Sequence, residues 1–189
     1  MSPKNITQLI RNRRSIFPKT YIDKPIPKVI IEEILENANW APTHRKTEPW
    51  RFKVLMDEAL MRLRDWQVDW YKRTTPKETF SDRKFKKLQT NPLKAGAIIA
   101  ICMQRDPKAS IPEWEEVAAV ACAVQNMWLT ASAHGIGAYW SSPKLIEDIG
   151  PFLQLSEGER CLGFFYMGYH EMPEIPVTRG AISEKITWL

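Results

Sequence analysis

The sequence predicts a mixed α/β fold of the α+β kind, in which helices outweigh a sheet of about four or five strands, and three segments carry that reading. Trp50, Phe52, Val54 and Met56 alternate with Arg51, Lys53 and Leu55, the period of a strand with one well-buried face. Ala97 to Met103 is a continuous apolar run, short enough for a central strand covered on both sides. Pro112 opens the longest helical stretch, and Val117 to Ala133 is apolar nearly all round, which places that helix at the centre of the molecule or at an interface.

The remaining elements follow from local signals. Ser2 suits an N-cap and Pro3 the first helical position, and Ile6, Leu9 and Ile10 recur at helical spacing, so a first helix is expected to about Arg13. A second opens at Pro27, with Ile30, Ile31, Ile34, Leu35 and Ala38 on one face, and stops before Pro42. Ala41 to Pro49 reads as a loop. Leu60, Leu63, Trp66, Trp70 and Tyr71 give helical spacing to Asp57–Lys72, and that stripe reads as core; Thr74 to Asn91 is broken and charged, a helix with loops. Glu113, Glu115 and Glu116 occupy the first turn of the long helix, where carboxylates favour the positive end of the dipole, and Gly135 suits its C-terminal cap. Gly137 to Ser141 is a short strand, Ser142-Pro143 an N-cap opening an amphipathic helix through Ile149, and Leu162 to Tyr169 a last buried strand. Beyond the Pro-rich Met172–Pro176, the residues Ile182, Ile186, Trp188 and Leu189 are too apolar to be left in water and must dock on something.

A chain of 189 residues, 44% hydrophobic and 26% charged, is expected to form a single domain, residues 1–189, with its own core. The start lacks a secretory pattern and no apolar run is long enough to cross a membrane, so no membrane partner is expected. Cys102, Cys122 and Cys161 are odd in number, far apart and each inside an apolar stretch; they read as buried reduced thiols and point to the cytoplasm. The net charge of +5, with Arg11 to Arg14 and Arg83 to Lys87 as basic runs, raises a nucleic-acid reading that no recognised motif supports.

Several chemistries lack their residues. Gly135-Ile136-Gly137 has no third glycine and precedes a strand, so a dinucleotide-binding Rossmann turn is not expected. There is no phosphate-binding Walker loop, nucleophile elbow or His-Glu-x-x-His pair, and the cysteines and histidines lack zinc-ligand spacing, so no metal is expected. His134 reads as a helix C-terminal cation and His170 as a surface residue.

Arg13-Arg14-Ser15 falls where the first helix gives out. Two guanidiniums and a hydroxyl there suit a phosphate and a ring carbonyl, although cations at a helix C-terminus also need no ligand. Ala41-Pro42-Thr43-His44-Arg45-Lys46-Thr47-Glu48-Pro49-Trp50-Arg51-Phe52 then resembles the nitroreductase family, whose members carry a similar Ala-Pro, polar loop and Pro-Trp-x-Phe run. The resemblance extends along nearly the whole chain. Arg13-Arg14-Ser15 looks like that family's N-terminal flavin motif, Pro112 to His134 like its central dimer helix, Gly137 to Ser142 like the strand and loop beside the flavin ring, and Thr178 to Trp188 like its C-terminal basic pattern. Length is similar to the short bacterial NAD(P)H nitroreductase subgroup.

That resemblance implies a nitroreductase-like fold: a mainly antiparallel central sheet flanked by helices, a long central dimer helix, and a C-terminal segment docked on the partner subunit. It implies FMN held between the subunits of a homodimer, with Arg13, Ser15 and Arg179 at the phosphate and Arg14 at the pyrimidine edge. His44 and Glu48 would border the same flavin from the second subunit, and Trp140, Ser141 and Ser142 would pack on the ring and offer backbone N–H groups. The implied activity is ping-pong hydride transfer from NADH or NADPH through the flavin to a nitroaromatic, quinone or similar conjugated small-molecule acceptor, with no catalytic side chain because the cofactor carries the chemistry.

The chain departs from the family pattern at Lys46 and Glu48, where Asn and Gln are usual, at Phe17, where many members have Arg, and at Gly180, where Pro usually follows the basic residue. Those departures leave the acceptor and the donor open, and with them a flavin-binding homologue with another task, such as dehalogenation, dehydrogenation or flavin storage. A basic binding module without cofactor is the third reading; it rests on the pI and the two charge runs alone.

Overall fold

The apolar run after residue 96 sits in the middle of a four-stranded sheet. In the computed structural model, which describes residues 3–173 and 176–189, the strands are β1 (Trp50–Leu55), β2 (Ala97–Gln104), β3 (Ile136–Ser141) and β4 (Glu159–Tyr169), in the order β1-β2-β4-β3. Every neighbouring pair is antiparallel. Ala97 to Met103 is buried throughout because helices cover both faces of β2.

On one face, α2 (Lys28–Asn39) and α5 (Glu113–Ala133) set Ile31, Ile34, Val120, Val124 and Met127 against Ile99, Ile101 and Phe165. On the other, α3 (Glu58–Thr74) contributes Leu60, Leu63 and Tyr71 to a layer with Ile98, Ala100 and Phe164, and α4 (Asp82–Lys94) packs along α3. A fully buried leucine such as Leu63 contributes roughly 1.5–3 kcal/mol relative to exposure. Ser81 caps α4, its hydroxyl accepting from Lys84 N. The long helix α5 closes on His134 and Gly135, whose φ of 69° is the left-handed turn that glycine adopts without strain.

The α+β expectation and the antiparallel sheet hold, and the details differ at several points. The first helix, α1 (Pro3–Asn12), ends one residue early, and its expected cap Ser2 lies outside the described residues, as do residues 174 and 175 of the Pro-rich tail. β1 does not bury a single face: Val54 is exposed and Leu55 is buried, because Trp50 packs against the α5 side while Leu55 at the other end packs against the α3 side. Ser142-Pro143 does not cap a helix through Ile149. Pro143 stays extended before a 3₁₀ turn at Lys144–Glu147, and a separate short helix, α6 (Gly150–Leu153), follows.

Cys102 and Cys161 are buried as expected, but Cys122 is exposed, since it lies on the side of α5 turned away from the sheet. The apolar tail finds no cover on its own chain: Ile182, Ile186, Trp188 and Leu189 are all exposed. Among the described residues no helix is long and apolar enough to cross a membrane.

Candidate functional site

Where α1 gives out, the chain runs along the outer edge of β3. Ser15 bridges Ala138 in parallel, and Ile16 N donates to the Ala138 carbonyl at 3.0 Å. This approach depends on Gly137, because a Cβ there would lie 2.7 Å from Ile16 Cβ and 2.6 Å from His170 Cδ2.

The turn out of α1 is pinned by Trp128 of α5. Its Nε1 donates to the Arg14 carbonyl at 3.2 Å, and the Arg13 guanidinium lies over its ring, 4.5 Å from the centroid. This cation–π contact holds the guanidinium against the indole face. Burial, with Arg14 and Arg179 nearby, holds Arg13 below the ordinary arginine value. Arg13 Nη1 is buried and has no hydrogen-bond partner. A desolvated donor left open beside two further cations is costly without an anion, so this cluster fits a phosphate.

A cavity of about 450 Å³ opens beside the cluster, walled by Arg13, Arg14, Ile16, Gly137 and His170. His170, expected on the surface, is partly buried here, which lowers its pKa, and its Nδ1 accepts from Met172 N at 3.2 Å. His134 is the C-cap of α5, its Nε2 3.1 Å from Glu33. The Arg14 side chain folds back on its own turn, donating to the Arg11 and Arg13 carbonyls.

Farther along β3, Trp140 and Ser141 end the strand and Ser142 follows. Trp140 Nε1 donates to the Leu162 carbonyl at 3.2 Å, holding the indole against β4. Three residues of strand, about 10 Å, separate the Ser15 bridge at Ala138 from Ser141. The described chain therefore places Arg13, Arg14 and Ser15 together, with Arg179 near enough to act on Arg13 through its charge, and sets Trp140 to Ser142 along the same edge.

His44 and Glu48 lie elsewhere. Their loop contains a turn at His44–Lys46, and Arg45, Lys46 and Glu48 hold positive φ of 52°, 55° and 43°. Three non-glycine residues in the left-handed region need support from their surroundings. His44 Nδ1 meets Glu115 at 2.6 Å, Arg45 donates to the Ser110 carbonyl at 3.0 Å, and Glu48 N donates to Thr43 Oγ1 at 3.2 Å. The anchoring segment is itself fixed by the buried Glu116, which pairs with Arg105 and accepts from Asp106 N at 2.9 Å.

Glu115 and Trp128 are thirteen residues apart on α5, about 20 Å at the rise of a helix. One chain thus carries the loop and the arginine cluster near opposite ends of the same helix. Trp128, Glu115 and His170 were not legible as site residues: in sequence they are an apolar helix residue, a first-turn carboxylate and a lone histidine. Among the described residues no group of side chains suits a metal ion.

The profile of the nitroreductase family matches residues 10–169. The chain belongs to that family. Among family relatives, the Bacillus subtilis (strain 168) protein named "Putative NAD(P)H nitroreductase YfhC" is 29% identical over 174 residues, covering 90% of this chain and 87% of its own. A nitroreductase-like family protein from Bacillus cereus superposes with a TM-score of 0.83 at 28% identity, over 100% of this chain and 98% of its own. The FMN-dependent nitroreductase NfnB from Mycobacterium smegmatis, solved with NADPH, shares the family fold at a TM-score of 0.77 and 15% identity, over 98% of each chain.

Proposed function

We propose that this single-domain chain is an FMN-dependent oxidoreductase, working as a cytoplasmic homodimer that takes electrons from NADH or NADPH and passes them to a nitroaromatic, quinone or similar conjugated acceptor. The observation that carries the reading is the buried, open Nη1 of Arg13, aimed by Trp128 and flanked by Arg14 and Arg179. Family membership and the FMN and NADPH named for NfnB support the choice of cofactor and donor.

In this reading Arg13, Ser15 and Arg179 hold the FMN phosphate, and the edge of β3 leads from there to Trp140, Ser141 and Ser142, about the reach of the ribityl chain. Bound FMN supplies the electron transfer between donor and acceptor. Arg14 uncurls from its own turn to place a cation at the pyrimidine edge, where fixed positive charge in a dry site favours the reduced flavin. Trp140 covers ring surface and excludes water. His44 and Glu48 reach the flavin from the second subunit, since the arginine cluster of their own chain is about 20 Å away along α5. The exposed apolar tail, from Ile182 to Leu189, packs on the partner. Free thiols at all three cysteines fit a reducing compartment.

The visible spectrum of the purified protein, recorded before and after each nicotinamide, tests the reading. A yellow dimer bleached by NADH or NADPH is expected. A colourless protein that binds no added FMN ends it.

A further inference from the structure

β2 and β4 bring two thiols together inside the sheet. Cys102 is paired in register with Cys161, and both side chains enter the same apolar layer, beside Phe164 and Ala100. Opposed residues of antiparallel strands have Cα atoms about 4.5–5.5 Å apart, within the roughly 4.4–6.8 Å that a disulfide spans. Cys102 Sγ lies 3.9 Å from the Ala100 carbonyl. Cys161 Sγ also lies 3.5 Å from the Gly163 carbonyl. The pair is far from the arginine cluster in sequence.

We propose that Cys102 and Cys161 form a reversible thiol–disulfide site whose closure acts on the bulge of β4 that seats Trp140. The register slips at this point: Ile101 faces Gly163 and Cys102 faces Cys161, so Leu162 is the extra residue of a bulge. The Leu162 carbonyl is the acceptor for Trp140 Nε1. Gly163 leaves room for the indole, because a Cβ there would collide with Trp140 Nε1 and the Ser141 carbonyl. A covalent bond at Cys161 therefore fixes the residue next to the carbonyl that orients Trp140. Lys53 and Glu159, an ion pair at 3.4 Å, provide the charges closest to the pair.

Hydrogen peroxide is the oxidant that fits a site open only to small molecules. Cys161 reacts first, being slightly exposed where Cys102 is not; the Cys102 thiol also lowers the Cys161 pKa while its own is raised. The Cys161 sulfur takes one peroxide oxygen as the O–O bond breaks, giving a sulfenic acid and one water. The Cys102 sulfur then displaces that hydroxyl, the S–S bond forms and a second water leaves. Two electrons pass from the thiols to the peroxide, and a dithiol reductant reverses the step. In a reducing compartment such bonds are transient and redox-sensing rather than structural.

The test treats the folded wild-type protein with hydrogen peroxide, then counts thiols after quenching and unfolding. Free thiols should fall from three to one and return to three with dithiothreitol. A non-reducing digest should yield one peptide joined through Cys102 and Cys161, a result that needs no variant. The same loss of two thiols should persist in Cys122→Ser and vanish in Cys161→Ser. Hydrogen exchange over residues 136–142 should slow in the oxidised wild type. An unchanged count, a loss confined to Cys122, or separately oxidised cysteines without the joined peptide would overturn the site. A joined peptide with unchanged exchange over residues 136–142 would overturn its action on Trp140.

Discussion

The Arg13 guanidinium is stacked on the indole of Trp128, 4.5 Å from the ring centroid, so a residue of the turn after α1 takes its direction from the longest helix. The stack leaves Nη1 buried without a partner. Arg13→Ala is expected to weaken FMN binding by about 1.5–3 kcal/mol, the range for a hydrogen bond to a charged group. Fluorescence titration of the flavin-free protein measures it, and an unchanged affinity would remove Arg13 from the phosphate site. Arg13→Lys should fall between, since it keeps the charge and loses the planar fork.

The loop at 43–48 depends on a carboxylate that never touches it. Glu116 is fully buried and bonds Arg105 and the Asp106 amide, which fixes the segment that receives Arg45. Glu116→Ala leaves both donors unanswered, and removing one member of a buried pair costs about 3–5 kcal/mol. Urea denaturation should show a loss of that size, with Glu116→Gln recovering part of it. A change within experimental scatter would mean that the pair is dispensable.

At Gly163, φ is 144° and a side chain would strike Trp140. Gly163→Ala should lower the melting temperature, with overpacking costing about 1–3 kcal/mol. It should also shift the absorption spectrum of bound flavin if Trp140 covers the ring. Wild-type stability and spectrum together would contradict the tight seat.

Deleting residues 182–189 removes Ile182, Ile186, Trp188 and Leu189, which are exposed on the single chain and which the proposed dimer would cover. Sedimentation should show the dimer shifted toward monomer, with flavin lost in parallel. A truncated chain that keeps both its dimer and its flavin would place the subunit contact elsewhere.

Most of the fold was legible because its signals are local. Alternation marked β1, the apolar run marked β2, and Pro112 with three glutamates marked the start of α5. The errors arose where two distant elements compete for one strand or turn. The two faces of β1 are divided between the α5 and α3 layers, which no period in β1 records, and Pro143 remained extended although Ser142-Pro143 reads as a cap. Cys122 sits among apolar neighbours in sequence yet faces outward, because the apolar composition of α5 extends to the side that its own sheet does not cover. In the site, Arg13, Arg14 and Ser15 stood out as a motif. Their supports did not, since Trp128 and Glu115 acquire meaning only when α5 is laid beside the turn and the loop that they hold.

Because α5 anchors the His44 loop near its first turn and the Arg13 turn near its last, the proposed dimer would give each polypeptide two unlike half-pockets that belong to different flavins. Co-expressing a chain disabled at Arg13 with one disabled at His44 would then rebuild one whole pocket in every mixed pair, although neither chain has an intact pocket when paired with itself. In that dimer, genetic complementation between two defective copies would follow from the length of a single helix.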